Sequence, residues 1–176
     1  MNITLDEIVT LLETDKFLKI TNTEAFPELS QETKKILKNY GIPTEEYGTY
    51  PRIVTDGTLK RFKSNLIEIG VFPGLKDPPK YCIDVSDGEK VVFFDTYTQK
   101  IDVVNSSLQK FLECKYTMAY YYRNIEFAKK YGDYNEGKNH LKYAKILREM
   151  LDKVEPNIEQ YETWQDELFQ KELGVI

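Results

Sequence analysis

Two groups of side chains in this sequence belong to types that do chemistry. A serine pair, Ser106 and Ser107, stands in VVNSSLQKFLEC, where a β-rich run gives way to helical spacing. Carboxylates alternate with apolar residues in short β-rich runs: Glu68 in NLIEIGVF, Asp84 in YCIDVSD and Asp102 in KIDVVN, with Asp95 closing KVVFFD. A serine nucleophile needs a base within reach, usually histidine, and a sharp Gly-flanked turn. The single histidine, His140, sits among helix formers in NHLKYAKIL, where a solvent-facing role is expected. No glycine lies between Gly88 and Gly132, so a phosphate-cradling loop is missing there too. What the residues support is a cap: Ser106 as helix N-cap with Gln109 three positions on, a Ser-x-x-Gln box.

Clustered carboxylates can hold Mg²⁺ for phosphodiester chemistry, but that requires tight geometry, and the spacing here is loose. A metal-dependent hydrolase is therefore the weakest of the readings, and no metal or cofactor is expected. The alternatives for Glu68, Asp84, Asp95 and Asp102 are a solvated sheet face without function and an acidic face that meets a basic protein. Charge complementarity of the second kind speeds association and sets specificity. Asp87 and Glu89, in the turn after Asp84, and Tyr97, in the next turn, join them as candidate partner-binding residues.

These side chains are positioned by a sequence that changes period twice. Thr4 with Glu7 reads as a capping box opening a short amphipathic helix on Leu5, Ile8, Val9 and Leu12. SQETKKILKNYG predicts a second helix, with Ser30 as N-cap, Ile36, Leu37 and Tyr40 on the buried side and Gly41 as the left-handed residue past its end. Loop is expected to about Tyr50. Four β-rich runs then follow, from Asn65 to Asn105, separated by turn material. Ser86 to Glu89 and Thr96 to Gln99 read as tight hairpins, which makes an antiparallel meander. PRIVTDGTLKRF is a weaker candidate for one or two edge strands, given Pro51. After Asn105, Phe111, Cys114, Met118, Tyr121, Ile125 and Ala128 mark one long amphipathic helix. Gly132 to Gly137 breaks it. Leu141, Ala144, Leu147, Leu151 and Val154 begin another, and Pro156 separates that from a last helix carrying Ile158, Tyr161, Trp164 and Leu168. The expectation is α+β: a mostly antiparallel sheet of four to six strands, N-terminal helices and a C-terminal helical segment packed against it. Residues 1–176 form one domain, with 1–105 supplying helices and sheet and 106–176 the helical part.

Length and composition agree with a single packed domain. The 176 residues are 41% hydrophobic and 30% charged, with a net charge of −5. That sign disfavours nucleic acid and suits a basic protein partner. Cys82 and Cys114 form no CxxC pair and are expected to be buried free thiols of a reducing compartment. The first residues lack the basic start and uninterrupted apolar run of a secretory signal, and no apolar run reaches membrane-spanning length, so a cytoplasmic protein away from membranes is expected. Charge is uneven in the helical third. Lys110 to Arg148 holds nine Lys or Arg against four Asp or Glu, whereas Glu149 to Glu172 holds two against eight. Tyr120, Tyr121 and Tyr122 are consecutive, about 100° apart on a helix, so at least one of them should reach the surface.

The order of segments is similar to that of the SUKH superfamily. LSQETKKILKNYGIP resembles the helix that opens the superfamily and ends in Gly and Pro. NLIEIGVF and YCIDVSDGEKVVFFD resemble its successive strands, and VVNSSLQKFLEC its Asn-Ser-Ser-Leu lead into the following helix. ILREMLDKVEPNIEQYETWQDEL resembles the tail of the fourth SUKH immunity-protein family, with Glu155-Pro156 in place of Asp-Pro and Trp164 in the Trp position. The early Trp of many relatives is absent here, Tyr40 standing just before Gly41. The resemblance implies a non-enzymatic α+β protein that binds and neutralises a cognate polymorphic or contact-dependent toxin by stoichiometric contact. The alternative is a regulatory or scaffold module of the same fold with no toxin partner. It also implies that Asn105, Ser106, Ser107, Gln109 and Phe111 are structural, and it transfers no partner-binding residue.

Overall fold

The computed structural model describes residues 17–43, 53–122 and 140–174. The capping box at Thr4, the loop to Tyr50, the positions Ile125 and Ala128 and the break from Gly132 to Gly137 lie outside them. A two-residue strand β1 (Phe17–Leu18) precedes helix α1 (Gln31–Asn39), and β1 pairs with β2 (Ile42–Pro43). Ser30 caps α1, its hydroxyl oxygen accepting from the Thr33 amide at 3.1 Å. Gly41 ends the helix at φ 78°, and a Cβ there would sit 2.6 Å from the Leu18 carbonyl oxygen. Glycine is thus required both by the left-handed backbone and by the strand crossing behind it.

The main sheet is a five-stranded antiparallel meander in the order β3 (Lys60–Arg61), β4 (Leu66–Val71), β5 (Lys80–Asp84), β6 (Lys90–Phe94) and β7 (Ile101–Asn105). The fold is α+β, as the change of period predicts. PRIVTDGTLKRF yields only β3 and a single bridge from Val54 to Val71. That segment closes over Gly70, where a Cβ would meet Ile53 at 2.6 Å, beside a bulge in β4.

Both faces of the sheet are apolar. Ile67, Ile69, Tyr81, Ile83 and Val91 belong to the main core with the helices, whereas Leu66, Cys82, Val92 and Phe94 form a second cluster on the opposite face with Phe62 and Val103 packed against it. Helix α2 (Leu108–Tyr120) is packed by β6, β7, α1 and the later helix α3 (His140–Val154). The spacing of apolar residues predicts one buried stripe. Contact from several sides buries Glu113, Lys115 and Thr117 as well, and burial holds the Lys115 ammonium down at about 7. Helix α4 (Glu162–Glu172) follows a 3-10 turn at Ile158–Gln160 and contacts β7 and α3. Leu141, expected on the buried side of α3, is instead 69% exposed, and the buried face of the helix is carried by Tyr143, Ala144, Leu147 and Leu151. Of the three consecutive tyrosines, Tyr121 is buried while Tyr120 and Tyr122 are half-buried. Both cysteines are free and buried, and desolvation pushes the Cys82 thiol up to about 12. Among the described residues no helix is long and apolar enough to cross a membrane.

Candidate partner-binding surface

The serine pair divides its work differently from the expected capping box. Ser107, not Ser106, is the N-cap of α2, its extended backbone letting its hydroxyl oxygen accept from the Lys110 amide at 3.2 Å. Ser106 instead donates its hydroxyl to Glu155 Oε2 at 3.0 Å, with its amide at 3.2 Å from the same oxygen. Gln109 does not reach back to a cap; its amide donates to Glu113 at 2.8 Å, one turn on. The helix starts one residue later than expected because Glu155, 49 positions away, holds the first serine.

Around Glu155 a buried polar network joins sheet and helices. Asn105 donates to Glu155 Oε2 at 3.3 Å and accepts from the Trp164 indole N–H at 3.2 Å. That N–H also donates to the Val104 carbonyl at 3.0 Å. Asn105 and Trp164 have no exposed surface and Glu155 only 5%, so each polar atom here depends on its neighbours. Phe111, one turn into α2, packs 5.9 Å from the Tyr81 ring. The serine pair is therefore part of a layer-joining cluster.

The carboxylates expected on one acidic face are dispersed over three places. Residues opposite one another in an antiparallel ladder share a face, and the register sets Glu68 opposite Lys60 and Asp84 opposite Lys90, both on the side of the second apolar cluster. Glu68 is also paired with Lys80 at 2.8 Å, and Lys63 lies 4.0 Å over the Phe94 ring. That face is mixed in charge. Asp102 pairs in register with Phe93, so it lies on the opposite face, and Lys100 links it to Glu162 of α4.

The turn residues are occupied too. Glu89, at φ 60°, folds back onto α1, where its carboxylate accepts from the Ser30 amide at 2.5 Å, the Ser30 hydroxyl at 2.8 Å and the Thr33 hydroxyl at 2.5 Å. A carboxylate is favoured at a helix N-terminus, where amides have no partners of their own. Burial works to raise the pKa of Asp84, but bonds from the Ser86 hydroxyl and amide and from Asn65 bring it below the usual carboxylate range. Asp95 is held low by bonds from Thr98 and Tyr97 in the second hairpin turn, at whose tip Tyr97 is 95% exposed. Asp87 is exposed in the first turn and paired with Lys90 at 2.8 Å. The two hairpins close opposite ends of the sheet, so Asp87 and Tyr97 do not share a patch.

A different surface, between α3 and α4, combines what a binding site needs. A cavity of about 310 Å³ is lined by Arg148, Glu159, Gln165, Asp166, Phe169 and Glu172. Phe169 is 56% exposed and Leu173, one turn on, 59%. The eight-to-two acidic excess of the last segment is the sequence signal for this surface. The exposed Phe169 carries no such signal, since the period through Trp164 and Leu168 leaves it unassigned. No protein-family model, curated protein or solved structure matches this chain.

Proposed function

We propose that this protein is an immunity-type binding protein of the SUKH kind, which neutralises a cognate bacterial toxin by stoichiometric contact. The observation that carries the reading is the order of its motifs: the helix ending at Tyr40-Gly41, the antiparallel meander, the Asn105-Ser106-Ser107-Leu108 lead into α2, and the Glu155-Pro156 turn before Trp164. Residues from two of these motifs touch directly, Asn105 and Ser106 meeting Glu155 and Trp164 in one buried network. That contact supports reading the separated motifs as parts of one structural signature. The protein acts by presenting a surface, and inhibition comes from covering the toxin.

Co-expression with the toxin encoded by the neighbouring gene tests this. The expected result is a complex of fixed ratio that survives purification, together with rescue of growth. Absence of both the complex and the rescue would retire the reading, and a complex with a partner that is not toxic would favour the scaffold alternative.

A further inference from the structure

We propose that the toxin docks on the α3–α4 surface, with Phe169 as its apolar anchor, and that the toxin face it takes is basic around an apolar recess. The inference rests on the toxin-binding reading and adds the surface and the partner chemistry to it.

Leu173, the C-cap residue of α4, keeps helical backbone four residues after Phe169, so the two share one side at the end of the helix. A Cβ on Gly174 would meet the His140 ring at 2.6 Å, which sets the end of α4 beside the start of α3, where Leu141 is 69% exposed. Three of the six large apolar side chains most exposed among the described residues thus belong to this helix pair. An aromatic residue at the edge of a groove, surrounded by polar groups, is the usual form of an interface anchor.

Charge selects the occupant. The groove presents Glu159, Asp166 and Glu172 against Arg148, three negative charges to one positive, a net of −2. Arg148 is already shared between Glu159 at 3.0 Å and Glu172 at 2.6 Å, and Asp166 makes no ion pair among the described residues. A second copy docked symmetrically would set this acidic rim against itself, and an anionic lipid surface or nucleic acid would be repelled in the same way. A Lys- or Arg-bearing protein face gains Coulomb attraction at the rim while its recess covers the Phe169 ring. The outer sheet face offers no comparable selection, because Lys60, Lys80 and Lys90 are interleaved with its acids.

The test is a titration of the full chain with the purified toxin domain encoded beside it, by calorimetry and stopped flow at low and high salt. Phe169→Ala is expected to weaken binding at least about tenfold. Asp166→Lys is expected to slow association severalfold, with the difference shrinking as salt rises. Leu75→Ala and Asp77→Lys, matched exposed changes on the β4–β5 loop, should leave affinity within about twofold. Since Phe169 is exposed, the variant's melting temperature should not move, which separates lost contact from lost fold. A tight wild-type complex that Phe169→Ala and Asp166→Lys leave intact overturns this docking surface and keeps the toxin-binding reading, especially if Tyr97→Ala or Asp87→Lys weakens the complex instead. Failure of the wild type to bind overturns both.

Discussion

The junction around Glu155 and the surface between α3 and α4 draw on interleaved residues of the same C-terminal helices, yet they treat polar and apolar groups in opposite ways. At the junction a carboxylate, an amide and an indole are buried and matched to one another, with Trp164 at 0% exposure. On the helix pair a phenylalanine is left 56% exposed while carboxylates outnumber the one guanidinium. The first arrangement closes its interactions inside the molecule and leaves nothing for a partner. The second leaves apolar area and negative charge unsatisfied, which is the condition for binding something else. Sites of function are sought where the chain stops matching itself.

The contrast predicts a steep difference in stability effects. Trp164→Ala removes the largest fully buried side chain and takes the indole donor from the Val104 carbonyl and the Asn105 side-chain oxygen, so it should cost about 3–5 kcal/mol in urea melts. A loss below about 1 kcal/mol would mean that the junction does not hold the C-terminal helices. The serines come next: Ser106→Ala and Ser107→Ala should each cost about 1 kcal/mol, but for different reasons. In double-mutant cycles with Glu155→Ala, the loss at Ser106 should couple and the loss at Ser107 should add. Equal coupling for both would erase the distinction between clasp and cap.

A smaller effect is expected in acid. Because the folded pKa of Asp84 lies below its ordinary value of 3.8, its stabilisation is complete above that value and is lost as pH falls through the folded one. Asp84→Asn should flatten that part of the pH–stability curve, and an unchanged acid limb would remove the bonds from Ser86 and Asn65 as its cause. Smallest of all, Phe169→Ala should change stability by less than about 0.5 kcal/mol. A cost of several kcal/mol would place Phe169 with the junction and end the contrast.

The sheet and its hairpins are legible in the sequence because alternation and turn residues are local signals. Which face each strand residue occupies is not. In IDVVN, alternation alone would set Ile101 and Val103 toward the core and Asp102 toward solvent. The structure does the reverse: Ile101 is 45% exposed, and Asp102 turns toward the helix side beside Lys100 and Glu162. With an apolar cluster on each face, nothing within the strand says which one the helices cover. The displaced cap has the same origin, since the partner that takes Ser106 lies 49 residues away. The acidity of α4 was visible as a count, whereas the exposure of Phe169 depends on how α3 and α4 pack.

Glu89 belongs to two elements at once, the hairpin between β5 and β6 and the N-terminus of α1. A side chain that closes a hairpin and at the same time grips the first turn of α1 makes the turn a clip between two parts of the chain distant in sequence. Loops exchanged between related chains, or short tags inserted here, should be accepted between Asp87 and Gly88 only while Glu89 keeps its place against Ser30. An insertion that moves Glu89 opens the clip and frees the helix end, so the tip of this hairpin can vary in sequence while its last residue cannot.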